Sequence, residues 1–141
     1  MPENPMLPRE LLDMIRRHEG YRARPYVCSA GKITIGVGHN LTDKGLPSHI
    51  IEELFLLDVT DAIKDAEDCV QNIRFLSEPR QNVIVDMVFN LGKTRFLKFV
   101  KFIAAVERND FQDAAVEMLN SRWYAQVGSR AKRLRQMMLE G

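Results

Sequence analysis

Apolar and polar positions along the chain fall into two periods. After Pro8, whose fixed φ suits a helix N-terminus, Leu11, Leu12, Ile15 and then His18 or Glu19 recur at helical spacing until Gly20 stops the run. Glu19 is therefore placed at the C-terminal end of the first helix, the unfavourable end of the helix dipole for a carboxylate. From Arg24 to Val37 the period shortens to two: PYVC, a turn at Ser29-Ala30-Gly31, then KITIGV with β-branched alternation. This is a β-hairpin, the only convincing sheet in the chain, and pairing across its turn brings Cys28 and Thr34 near each other. Gly36 and Gly38 bracket Val37, where missing side chains allow bends or a close approach, and His39 follows.

Asn40 to Pro47 carries turn residues and is expected to be a loop. A long helix then opens at Pro47 or Ser48, with Ile50, Ile51, Leu54, Phe55, Val59, Ile63, Ala66 and Val70 on its stripe. It is long enough to act as a bridge. PRQNVIVDMVFNLG is apolar between Val83 and Leu91 except at Asp86 and Asn90, which predicts a buried central helix ending at Gly92. Further helices are expected over Phe96–Val106, Asp110–Leu119 and Arg130–Leu139. The expectation is an α+β chain with one domain over 1–141: a hairpin lobe with the first helix (about 1–46), a bridge helix (47–71) and a helical lobe (72–141).

Composition changes this picture little. The 141 residues are 45% hydrophobic and 28% charged, ordinary globular values, and long enough for a real core. Twenty basic against nineteen acidic residues leave a formal charge of +1, so no global field argues for a nucleic acid partner. Cys28 and Cys69 lack the density of a disulfide framework, and reduced thiols are expected. The N-terminus MPENPMLPRELL has no basic stretch followed by an apolar core, and no window approaches the roughly 18 apolar residues of a membrane span, so neither a leader nor stable membrane insertion is expected. No His, Cys or carboxylate group shows ligand spacing, so no metal or organic cofactor is expected.

The candidate chemistry lies in Arg16–His39. A glutamate at a helix end, with a short hairpin aimed across it, suits a glycosidase. Such an enzyme must protonate a leaving oxygen and support an oxocarbenium-like transition state. Glu19-Gly20, Cys28 and Thr34-Ile35-Gly36-Val37-Gly38-His39 form a block that resembles the signature of the phage-type (T4-like) lysozymes, the endolysins of glycoside hydrolase family 24. MVFNLG at 87–92 and SRWYAQVGSRAKR at 121–133 resemble the same family in the same order, so the similarity covers nearly the whole chain.

The resemblance implies a two-lobed lysozyme-like fold and an endolysin, a muramidase hydrolysing the β-1,4 bond between N-acetylmuramic acid and N-acetylglucosamine in peptidoglycan. It implies that Glu19 is the catalytic acid and that Thr34 helps hold the attacking water. Cys28 stands where the best-known members have aspartate, a cysteine variant also familiar in the family. Arg130 matches an arginine that pairs with the catalytic glutamate, and His39 with Asp58 matches a structural ion pair. Asp86 and Asn90, four residues apart on one helical face, match a face that looks toward substrate, although a buried hydrogen-bonded pair reads almost as well. The partner implied is the glycan strand of peptidoglycan, met by a monomer that stays in the host bacterial cytoplasm until release to the periplasm.

One departure bears on mechanism. The hairpin lacks the second carboxylate, and a thiol of ordinary pKa, about 8.5, supplies little charge at pH 7 unless the site lowers it. Water positioning by Cys28 and Thr34 with inversion at the anomeric carbon is favoured over attack by Cys28. A lytic transglycosylase using Glu19 alone and a peptidoglycan-binding scaffold without turnover are the alternatives. The segment between His39 and Asp58 is shorter than the family's, and the family's final helix has no counterpart after RAKRLR. Without a wall-binding module, thin Gram-negative peptidoglycan is the expected target.

Overall fold

The computed structural model describes residues 7–141; the part of the N-terminal reading that falls on residues 1–6 lies outside the described residues. The chain separates into two compact units, Met1–Ile51 and Glu52–Gly141.

In the first unit, helix α1 (Arg9–Glu19) begins directly after Pro8, whose carbonyl accepts the Leu12 N–H at 3.2 Å. It ends where expected. Gly20 donates its N–H to the Arg16 carbonyl at 2.9 Å, with a positive φ that closes the last turn and leaves Glu19 as the final helical residue.

Strands β1 (Arg22–Val27), β2 (Ile33–Gly36) and β3 (His39–Asn40) form an antiparallel sheet in that order. Tyr26 lies opposite Thr34 and Val27 opposite Ile33, while the next pair on β1 is Arg22 with Gly36, so β1 carries extra residues in between. Pro25 sits in that bulged stretch of an edge strand, where a missing N–H costs no ladder bond. The turn is closed by the Cys28 N–H on the Lys32 carbonyl and the Gly31 N–H on the Cys28 carbonyl, each at 2.9 Å.

The Asn40–Pro47 stretch corrects the loop expectation. His39–Asn40 adds the third strand, and Leu41–Lys44 forms a short helix, α2. Its cause is a cap: the Asn40 side chain accepts the Asp43 N–H at 3.0 Å and donates Nδ2 to the Asp43 carboxylate at 2.9 Å. Thr42 and Asp43 then tie α2 to the hairpin, Thr42 Oγ1 accepting the Ile33 N–H at 2.8 Å and Asp43 pairing with Lys32 at 3.1 Å.

Helix α3 (Ser48–Cys69) starts in the first unit. In the second unit it buries Ala62, Ala66 and Cys69, one stripe at helical spacing. A 3₁₀ turn at Ile73–Phe75 leads to α4 (Glu78–Leu91), capped by Ser77, whose hydroxyl faces the Arg80 N–H, and closed by the Gly92 N–H on the Val88 carbonyl at 2.7 Å. As expected, α4 is central: Val83, Ile84, Met87 and Val88 are all buried.

The expected Phe96–Val106 helix is two pieces, α5 (Lys93–Phe96) and α6 (Val100–Glu107). Helix α7 (Phe111–Leu119) is capped by Asp110, which accepts the Asp113 N–H at 3.0 Å. Arg122–Val127 forms a further helix, α8, that the period did not reveal, capped by Ser121. Helix α9 (Ser129–Glu140) completes the unit. Phe96, Phe102, Met118 and Met138 are among the largest fully buried side chains of the core. The fold is α+β, a small N-terminal sheet followed by helices. Among the described residues no helix is long and apolar enough to cross a membrane.

Candidate active site

The candidate residues divide between the units: Glu19, Cys28, Thr34 and His39 in the first, Asp86, Asn90 and Arg130 in the second.

Glu19 is carried out on the last turn of α1 with an exposed side chain, and its carboxylate rests against the backbone of Gly38, which precedes β3. Thr34, in contrast, is the only polar residue among the buried ones of the described residues, at 4% exposure. Its hydroxyl donates to the Lys32 carbonyl at 3.0 Å. Since Tyr26 faces Thr34, Cys28 two residues on shares that face of the sheet, diagonal to Thr34.

The half-buried Cys28 thiol is held below its ordinary range by the backbone N–H groups of Lys32 and Ala30, in that order, and then by the Thr34 hydroxyl. The hydroxyl has a single proton. It lies on the Lys32 carbonyl while Cys28 is a thiol, and a thiolate competes for it. These donors favour the charged form of the thiol.

Lys32 is the residue that the sequence pattern did not single out. Its carbonyl accepts from both the Cys28 N–H and the Thr34 hydroxyl, and its N–H faces the thiol. The available signal was its place between a glycine turn and the first residue of ITIG.

His39, for which the resemblance implies an ion pair with Asp58, donates Nε2–H to the Gly45 carbonyl at 2.6 Å and so closes the α2 loop. Arg130, for which it implies a pairing with Glu19, gives both Nε and Nη2 to a single oxygen of Asp86, at 2.9 and 2.6 Å. Asn90 accepts Nε1–H of the buried Trp123 at 3.0 Å. Asp86 and Asn90 therefore share a helical face but not a partner. Together with Phe55, Val59, Val85 and Phe89, Asp86 and Arg130 line a depression of about 320 Å³ within the second unit. A larger concavity of about 840 Å³ in the same unit is walled by Phe99 and Trp123 and rimmed by Arg95, Lys98, Lys101 and Arg122. Among the described residues no three His, Cys, Asp or Glu side chains gather closely enough to hold a metal ion.

A carboxylate on a helix end, in a unit whose hairpin carries a threonine hydroxyl and a thiol, is suited to acid-assisted cleavage of a glycoside. Residues 16–137 match the family model described as phage lysozyme, and the chain belongs to that family. It is a lysozyme-type cell wall hydrolase whose substrate is peptidoglycan. Its relatives include the probable T4-type lysozyme 2 of Dictyostelium discoideum, 28% identical with 88% of this chain and 90% of that protein aligned. An endolysin of Acyrthosiphon pisum secondary endosymbiont phage 1 is 27% identical over 77% of this chain and 74% of its own. The pre-baseplate central spike protein Gp5 of Enterobacteria phage T4 is 26% identical, with 99% of this chain aligned to 29% of that protein.

Proposed function

We propose that the protein is an endolysin that hydrolyses the β-1,4 bond between N-acetylmuramic acid and N-acetylglucosamine, acting as a monomer on peptidoglycan after release from the host cytoplasm. The observation that carries this reading is the hairpin itself, which holds the Thr34 hydroxyl and the Cys28 thiol around the Lys32 backbone in the same unit as the Glu19 carboxylate. Glu19 donates its proton to the glycosidic oxygen. Thr34 and Cys28 hold the attacking water, and Cys28, drawn toward thiolate by Lys32, Ala30 and Thr34, supplies the negative charge that the missing carboxylate would have given. The water enters opposite the leaving group, so the anomeric configuration inverts. Within the second unit, Arg130, Asp86 and Asn90 are supports for the substrate-facing surface.

The test is digestion of Gram-negative peptidoglycan by the wild type and Glu19→Gln, with fragments read by mass and reducing-end assay. Reducing muramic acid ends from the wild type alone, with turnover lowered by at least about 10²-fold in Glu19→Gln, are expected. Anhydro ends, lighter by one water, would make the protein a lytic transglycosylase. Absence of fragments from a folded wild type would make it a binding scaffold. Cys28→Ala tests the thiol: a variant that keeps most of its activity rules out a nucleophilic Cys28 and leaves the water to Thr34.

A further inference from the structure

The first unit contains two glycines that the backbone treats alike and the surroundings do not. Gly36 ends β2 with φ +68° and Gly38 precedes β3 with φ +69°, a region where side chains of L-residues are strained. A Cβ at Gly36 would meet nothing within 4 Å. A Cβ at Gly38 would fall 2.9 Å from Oε2, 3.1 Å from Cδ and 3.2 Å from Cγ of Glu19. All three atoms belong to one side chain. Glu19 is exposed and flexible enough to swing away, so a methyl group at 38 would displace the carboxylate rather than break the fold.

We propose that Gly38 is a positioning residue for Glu19: the empty Cβ position at 38 is the seat of the carboxylate, and filling it moves the proton donor off the glycosidic oxygen. This rests on Glu19 being the general acid and specifies what holds it there. Helix α1 ends at Glu19, so its side chain is restrained on the helix side only by the last turn. The Gly38 backbone supplies the second wall. A carboxylate misplaced by about 1 Å costs on the order of 10²-fold in turnover, because proton donation depends on geometry more steeply than binding does.

Gly36 provides the control, since Gly36→Ala carries the same backbone strain without the collision. Gly36→Ala and Gly38→Ala are compared with wild type by thermal unfolding, by kcat and KM on peptidoglycan, and by the ¹³Cδ resonance of Glu19. The expected result is a similar fall in melting temperature for both variants. Only Gly38→Ala should show a kcat lower by about 100-fold, an unchanged KM and a shifted Glu19 resonance.

Equal kcat losses in the two variants, or a Glu19 resonance that stays in place in Gly38→Ala, overturn the proposal. Should Gly38→Ala fail to fold, Glu19→Ala/Gly38→Ala decides: recovery to the stability of Gly36→Ala supports the collision, and continued failure overturns it. If the wild type releases no fragments at all, the muramidase reading falls by itself. The resonance comparison still decides whether Gly38 seats Glu19.

Discussion

The two units are built on different physics. In Glu52–Gly141 the helices enclose a continuous apolar core, with Val83, Ile84, Met87, Phe96, Phe102 and Met118 at or near complete burial. In the described part of Met1–Ile51 the only buried residue is Thr34, and α1 buries nothing. What organises the first unit is polar: the Asn40 cap, the Thr42 hydroxyl on Ile33, the Lys32–Asp43 pair, the His39–Gly45 bond and the Lys32 carbonyl that serves Cys28 and Thr34 together. The residues proposed for the chemistry therefore sit on a scaffold of directional bonds. Directional bonds fix orientation at little net gain in stability, whereas burial stabilises without fixing any one polar group. Substitutions should accordingly act on stability in the second unit and on turnover in the first.

The largest expected effect tests the core. Phe102→Ala should cost about 3–5 kcal/mol in urea unfolding, through lost burial and a cavity. Ile33→Ala, at a position 49% exposed on β2, should cost within about 0.5 kcal/mol. Comparable costs at the two positions would break the contrast.

Next is a polar clamp inside the apolar unit. Arg80 donates Nε to the Met138 carbonyl at 2.8 Å and Nη2 to the Leu139 carbonyl at 3.2 Å, with its guanidinium 3.6 Å from the centre of the Phe111 ring, and so ties down the end of α9. Lysine cannot make that fork, and Arg80→Lys should lose about 1–3 kcal/mol, with faster hydrogen exchange over Arg135–Glu140. Exchange unchanged in α9 would show the clamp to be idle.

The Asp86–Arg130 pair should matter less. Both side chains are over a third exposed, so a double-mutant cycle in urea should give a coupling of about 0–1 kcal/mol. A larger coupling would mean that an exposed ion pair stabilises the second unit beside its core.

The cysteines give the smallest effect and the sharpest contrast in sign. Burial, the largest cause, pushes the Cys69 thiol above its ordinary value, whereas donors on the hairpin hold Cys28 below it. A folded state that grips the Cys69 proton loses stability as pH rises past the unfolded value near 8.5, and Cys69→Ala should flatten that alkaline decline. Cys28 works the other way. Its contribution is in full force above the unfolded value and is lost as pH falls through its lowered folded range, so Cys28→Ala should remove a gain in stability on the way up. At pH 7.5 iodoacetamide should label Cys28 well before Cys69, and the reverse order would undo the assignment.

Much of this was legible along the chain because it depends on neighbours in sequence. Gly20 stops α1 at Glu19, Gly92 stops α4, and the alternation of KITIGV makes β2, because caps and periods act over a few residues. The α2 helix is not legible in this way: Asn40 and Asp43 carry a turn signature that serves a loop and a capped turn of helix equally. Helix α8 is hidden for another reason: six residues are too few for a period to declare itself.

Sequence alone determined the family, the helix end that carries Glu19, the hairpin that carries Cys28 and Thr34, and the glycines that leave room beside them. Tertiary structure decided what those residues touch: the Cys28 thiol on the Lys32 and Ala30 amides, Asp86 on Arg130, Asn90 on Trp123, and the Glu19 carboxylate in the space that Gly38 leaves. Local propensities fix which elements form, but hydrogen bonds and close approaches between distant residues depend on register and burial, and those are set only when the chain packs.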